Sequence, residues 1–177
     1  RNPMKLNVGC GNVHRMHNYV HVDARQTPIT DMVCDAWAID LPDGKVNEIY
    51  SRHMLEHLPR HLARHTLRSW FHLLAPSGRL HVIVPDILFH ARQLLEMESS
   101  IFPDQHEHAM AGFYGWCDPD RGGDIHDSHR WGYSFPTLGA LLHDTGFIQV
   151  ERITSGKDSE PWHLNVQAIK PGPSHPH

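Results

Sequence analysis

Leu6-Asn7-Val8-Gly9-Cys10-Gly11-Asn12, with Tyr19-Val20-His21-Val22-Asp23 close behind it, carries the reading of this chain. The first stretch is an apolar strand running into a tight glycine turn. The second is another short strand, ending in a carboxylate. Gly9 and Gly11 flank one small residue, and a backbone without Cβ atoms can turn sharply and let a ligand approach its amides. An Asp at the tip of a neighbouring strand can accept hydrogen bonds from a ribose diol. Together these features predict a pocket for a nucleoside-containing cofactor.

The chain has 177 residues, 40% hydrophobic and 20% charged, which predicts one domain over residues 1–170 with a tail at 171–177. No apolar run approaches the roughly 20 residues that span a bilayer. The start carries no signal-peptide pattern, and beginning on Arg1 is consistent with a segment of a longer protein or complex. Three widely spaced cysteines, Cys10, Cys34 and Cys117, form neither a disulfide framework nor a CxxC site, so a cytoplasmic location is expected. The net charge of −4 speaks against a nucleic-acid partner, which selects a basic surface. The 18 histidines supply candidate acid–base groups and metal ligands, although most histidines serve as solvated or structural residues.

Further strands are predicted at Asp31–Cys34, Val46–Ser51, Arg79–Val84, Phe147–Ile153 and His163–Ile169. Helices are predicted over Arg60–Leu74, Ile87–Met97 and Phe135–Thr145, the last stopped by Gly146. Only Val13–Asn18 separates the glycine turn from the next strand. A full crossover helix needs about 10–12 residues, so the first crossover should be shortened or lack a helix. Residues 99–131 read as an irregular insertion or substrate lid. Alternating strands and helices predict an α/β sheet with its ligand at the carboxyl ends of the strands. Those ends bring Gly9–Gly11, Asp23, Asp35, Ser51–Met54 and Pro85–Asp86 to one edge.

A nicotinamide site requires G-x-G-x-x-G opening a helix, and here the sixth position is His14. The ordered set fits elsewhere. Leu6–Gly11, Val22-Asp23, Cys34-Asp35-Ala36 with Leu41-Pro42, the His53–Leu58 segment and Leu73–Leu80 together resemble a class I S-adenosylmethionine-dependent methyltransferase. The resemblance covers about residues 4–90 and is closest to the compact bacterial type associated with surface-polysaccharide synthesis. It implies a Rossmann-like, mostly parallel seven-stranded sheet with an antiparallel last strand. It also implies S-adenosylmethionine as cofactor, with Asn7, Gly9, Cys10 and Gly11 at the methionine part and Asp23 at the ribose. Asp35 and Ala36 would flank the adenine, and Ser51, Arg52 and His53 would lie near the sulfonium.

Two further patterns bear on chemistry. His53-Met54-Leu55-Glu56-His57 matches H-x-x-E-H, in which two histidines on a helix hold zinc and the Glu acts as base. Pro59 follows two residues later, where that motif needs a continuing helix. Gly122–Trp131 gathers His126 and His129 with Asp124 and Asp127. His129-Arg130-Trp131 resembles the substrate-side segment of the same methyltransferases, which implies His129 as the base, with His126 and Asp127 as further catalytic candidates. Asp124 or Asp127 with His126 could also hold a divalent metal. Tyr114, Trp116 and Trp131 could stack on a sugar ring or pack the lid. The leading expectation is O-methylation of a sugar or glycan acceptor. The alternatives are a methyltransferase-like domain that binds without catalysis, and a zinc hydrolase using His53, Glu56 and His57.

Overall fold

The computed structural model describes residues 3–12 and 15–173. His14, the sixth position of the glycine stretch, and residues 174–177 of the expected tail lie outside the described residues. Seven strands form one sheet: β1 (Met4–Val8), β2 (Val20–Asp23), β3 (Met32–Val33), β4 (Val46–Arg52), β5 (Leu74–Pro85), β6 (Ile148–Arg152) and β7 (His163–Ile169). Their spatial order is β3-β2-β1-β4-β5-β7-β6. Neighbours from β3 to β5 pair in parallel, and β7 runs antiparallel to both β5 and β6. The four helices are α1 (Arg60–Leu73), α2 (Ile87–Leu94), α3 (Gln105–Tyr114) and α4 (Phe135–Thr145). This is the expected Rossmann-like α/β architecture.

The central strands are apolar because parallel strands covered on both faces expose neither. Leu6, Val8, Val22, Val46, Ile49, Leu80, Val82 and Val84 are all buried. Helix α1 packs its Ala63, Leu67, Trp70 and Leu73 edge into this core, while Arg60, Arg64 and Arg68 stay exposed. The Trp70 indole donates to the Ala36 carbonyl at 2.8 Å, tying α1 to the loop after β3. Glu48, buried on β4, is fully partnered. Tyr19 Oη donates to it at 2.5 Å, Arg79 at 2.9 Å, and Lys5 Nζ lies 3.4 Å away.

Some boundaries differ from expectation. Among the described residues between β1 and β2 there is no helix, as the short spacing requires. Strand β5 begins at Leu74 rather than Arg79, because Leu74 pairs with Val46 before residues 75–78 bulge out of register. Helix α2 ends at Leu94, short of Met97. The segment 99–131, expected to be irregular, contains α3. Asp104 caps it by accepting from Glu107 N at 2.8 Å, and Gly115 ends it at φ +87°. The α3 sequence has no apolar stripe. It packs on α2 through a bare backbone at Gly112, where a Cβ would lie 2.1 Å from His90 Cδ2.

Trp70→Ala should lower stability by about 3–5 kcal/mol, the usual cost of deleting a fully buried aromatic. Urea unfolding measures it, and a loss below about 1 kcal/mol would contradict this packing.

Candidate functional site

Two cavities open at the carboxyl ends of the parallel strands. The first, of 520 Å³, lies on the glycine turn. Gly9 N donates to Val22 O at 2.8 Å, and Gly11 N donates to Asp23 Oδ2 at 2.9 Å. The other carboxylate oxygen of Asp23 accepts from Arg25 N at 3.0 Å. The turn depends on left-handed backbone at Gly9 (φ +73°) and Gly11 (φ +59°). A Cβ on Gly9 would come within 2.4 Å of Met54 Cγ, whereas one on Gly11 would meet open space. Asp35 and Ala36 form part of the far wall, and His53, Met54 and His57 close the near one.

The second cavity, of 460 Å³, is lined by His53, His57, His90, His108, His129 and His163, with aromatic walls from Phe102, Trp116 and Trp162. Most of these imidazoles are pushed toward the neutral form. Burial lowers His129 and His90. Burial and the neighbouring His90 bring His108 to about 4, and burial with His53 brings His163 to about 4. At its floor, Arg52 forms a two-point bond to Asp158, Nε to Oδ2 and Nη2 to Oδ1, each 3.0 Å. Burial raises the Asp158 carboxyl, but Arg52 outweighs it and holds the group below the usual range.

The wall between the cavities is the turn after β4. His53, at φ +51°, begins it, and Leu55–His57 form a single 3-10 turn. The helix required by the zinc-peptidase reading does not form, so His53 and His57 do not share a helix face. Glu56 is buried, with its side chain 2% exposed. Among the described residues neither of its carboxylate oxygens has a hydrogen-bond partner. His53 Nδ1, His57 Nε2 and His129 Nε2 surround Oε1 at 3.4, 3.8 and 3.9 Å. Burial raises the Glu56 carboxyl, and the surrounding imidazoles outweigh it in the opposite direction. The Glu56 carbonyl accepts from Arg130 N at 2.8 Å and Trp131 N at 3.2 Å, which docks residues 128–131 on this turn.

Of the residues singled out in the sequence, Gly9, Gly11, Asp23, Asp35, Ala36 and His53 line the first cavity, together with His126 and Asp127. His129 and Arg52 line the second, and His53 and Asp127 border both. Asn7, Cys10 and Ser51 line neither. Asn7 and Ser51 are buried in strands, and Cys10 Sγ turns toward Thr30 Oγ1 at 3.9 Å. The divalent ion considered for Asp124 or Asp127 with His126 finds no third ligand grouped with them among the described residues. Asp124 accepts from His126 N at 2.6 Å and Asp127 from Asp124 N at 2.9 Å, so both carboxylates cap their own turn. Trp116 lines the second cavity beneath Arg121, while Trp131 stays partly exposed under Arg60. Tyr114 is largely exposed. Phe102, His108, Trp162 and His163 were not singled out. His108 comes from α3 and Phe102 from the segment before it, Trp162 directly precedes β7, and the Pro85–His163 register places His163, its first residue, at the site.

No protein-family model matches the chain, and no curated protein matches it in sequence. Solved structures do match it in fold. One is a methyltransferase from Archaeoglobus fulgidus described as S-adenosylmethionine-dependent, with TM-score 0.65 and 17% identity over 95% of this chain and 86% of that one. Another is the 1,6-didemethyltoxoflavin-N1-methyltransferase of Burkholderia thailandensis, solved with 1,6-didemethyltoxoflavin and S-adenosylhomocysteine bound. It gives TM-score 0.60 and 17% identity, covering 97% of this chain and 72% of that one. A third, from Methanosarcina mazei, gives TM-score 0.60 and 15% identity over 96% and 93%. The likeness is one of fold: the Rossmann-like methyltransferase sheet.

Gly9→Ala should destabilise the protein by at least about 1–2 kcal/mol, since the left-handed turn is costly for any residue with a Cβ and Met54 must also move. Thermal unfolding reads the loss, and an unchanged midpoint would contradict the turn geometry.

Proposed function

We propose that the chain is an S-adenosylmethionine-dependent methyltransferase that methylates a hydroxyl of a sugar or glycan. The observation that carries this reading is the pairing of the glycine-turn cavity, with Asp23 at the tip of β2, to a second cavity across the His53–His57 turn. The residues present suit the cofactor. Each Asp23 oxygen accepts one backbone amide and keeps acceptor capacity for a ribose hydroxyl. Gly11 faces open space, where backbone can approach the methionine part. Asp35 is exposed beside Ala36 and is suited to an adenine amino group.

When bound, the cofactor supplies a methyl group on a sulfonium: the acceptor oxygen bonds to that carbon as the carbon–sulfur bond breaks, and the electron pair stays on sulfur. The protein's own task is alignment and proton removal. His129 is the candidate base. Its Nδ1 lies 3.0 Å from the Gly112 carbonyl, so donation there leaves a lone pair on Nε2. Burial keeps that imidazole neutral and able to accept. His126 and Asp127, at the edge of the first cavity, are the further candidates. Phe102, Trp116 and Trp162 give the second cavity the flat apolar walls that suit a sugar ring. This reading includes one domain over residues 1–170, a cytoplasmic setting and no nucleic-acid partner. No helix of the described residues is long and apolar enough to cross a membrane.

Asp23→Ala should weaken S-adenosylhomocysteine binding by about tenfold to a hundredfold in calorimetry, because a hydrogen bond to a charged group contributes about 1.5–3 kcal/mol. Unchanged affinity in a folded variant would remove Asp23 from the site. His129→Ala should bind the cofactor normally and lose most of its methyl transfer. Full turnover would overturn that assignment.

A further inference from the structure

We propose that Glu56, His57 and His129 bind a divalent first-row transition-metal ion of the zinc class. The unmet carboxylate is the starting point. Glu56 is buried with neither oxygen in a well-formed hydrogen bond among the described residues and imidazoles no nearer than 3.4 Å, while the comparably buried Glu48 accepts from Tyr19 and Arg79. A buried charge needs a counter-charge or a full set of donors.

The geometry around Glu56 is that of a ligand set. One donor atom from each of the three residues falls within 4.8 Å of the others. His57 Nε2 and His129 Nε2 stand 3.8 and 3.9 Å from Glu56 Oε1. Tetrahedral ligands about 2.1 Å from zinc are about 3.4 Å apart, so each histidine nitrogen must draw in toward Glu56 Oε1 by about half an ångström. Both imidazoles have their other nitrogen on a backbone carbonyl: His57 Nδ1 is 3.3 Å from Ser128 O, and His129 Nδ1 is 3.0 Å from Gly112 O. That is the outer contact that orients metal-ligating histidines and directs the Nε2 lone pair inward. The ligands come from two segments already joined by the Glu56 carbonyl, so an ion would clamp residues 128–131 to the turn after β4.

Three protein ligands leave a coordination position for an exogenous oxygen, as in catalytic rather than structural zinc sites. All three line the second cavity, so that position opens where an acceptor would enter. A cation there increases the acidity of an oxygen ligand. Metal binding itself stands apart from the transferase reading; only the nature of the oxygen ligand, an acceptor hydroxyl, rests on it. With the ion in place, His129 Nε2 is a ligand and no longer a free base.

The test uses protein without a histidine tag, stripped by chelator and titrated with Co²⁺. One equivalent should bind with the visible absorption of a tetrahedral site. Glu56→Gln, His57→Ala and His129→Ala should each lose that spectrum and at least tenfold in affinity. His61→Ala/His65→Ala, which removes an exposed pair on α1, should retain both. Circular dichroism checks folding; if Glu56→Gln fails to fold, the two histidine variants carry the test. Absence of a saturating spectrum, or its persistence in the folded ligand variants, would overturn the site. S-adenosylhomocysteine calorimetry on the same stripped protein separates the two claims. S-adenosylhomocysteine binding without Co²⁺ binding removes the ion alone, and Co²⁺ binding without S-adenosylhomocysteine binding upholds the ion and removes the transferase.

Discussion

Glu56 carries the constraint on which both cavities depend. Its carbonyl accepts two amides from the far segment, Arg130 and Trp131. Glu56 itself lines only the histidine-lined cavity, while its neighbours His53 and His57 border both. The turn that holds it is short because Pro59 N-caps α1 immediately afterwards. His53 accepts a left-handed backbone to bring the chain from β4 into that turn. This turn therefore stands between the two cavities and holds residues 130–131 against it.

Around this joint, charges are matched in pairs that hold the strand ends rigid. Arg52 at the end of β4 grips Asp158. Arg152 on β6 reaches Asp86 after β5 at 2.8 Å, and Asp86 also caps α2 by accepting from Leu88 N at 3.0 Å. These partially buried pairs are satisfied by two-point or multiple contacts, the arrangement in which burial of charge is tolerated. Glu56 is the exception, and its surroundings are imidazole nitrogens rather than guanidinium groups. Imidazole nitrogens gathered around a buried carboxylate are the surroundings on which the proposed ion site rests.

Much of the fold was legible because its determinants are local. Val82, Ile83 and Val84 form an uninterrupted buried run, Ser134 and Gly146 bracket α4, and the glycine turn follows directly from β1. That Asp23, Asp35 and much of the His53–Leu58 segment would meet around one cavity was legible because all stand at carboxyl ends of strands. Cys10 and Ser51 line neither cavity: Ser51 is buried on β4, and the Cys10 thiol turns toward Thr30. Helix α3 was missed because its packing rests on the close approach of Gly112 to His90, not on an apolar stripe. The aromatic side of the second cavity depends on the antiparallel pairing of β7 with β5, a contact between residues far apart in sequence. No local pattern announces that Trp162 and His163 will face His53 and Phe102.

The central claim is that the glycine turn, Asp23, Asp35–Ala36 and the His53–Leu58 turn form one S-adenosylmethionine site beside a separate acceptor space. Hydrogen–deuterium exchange with and without S-adenosylhomocysteine tests it most directly. The account predicts slowed exchange at residues 9–12, 23–25, 34–37 and 53–58 together, with α2 unchanged. Exchange unaltered at all four segments under saturating ligand, or protection confined to other parts of the chain, would contradict it.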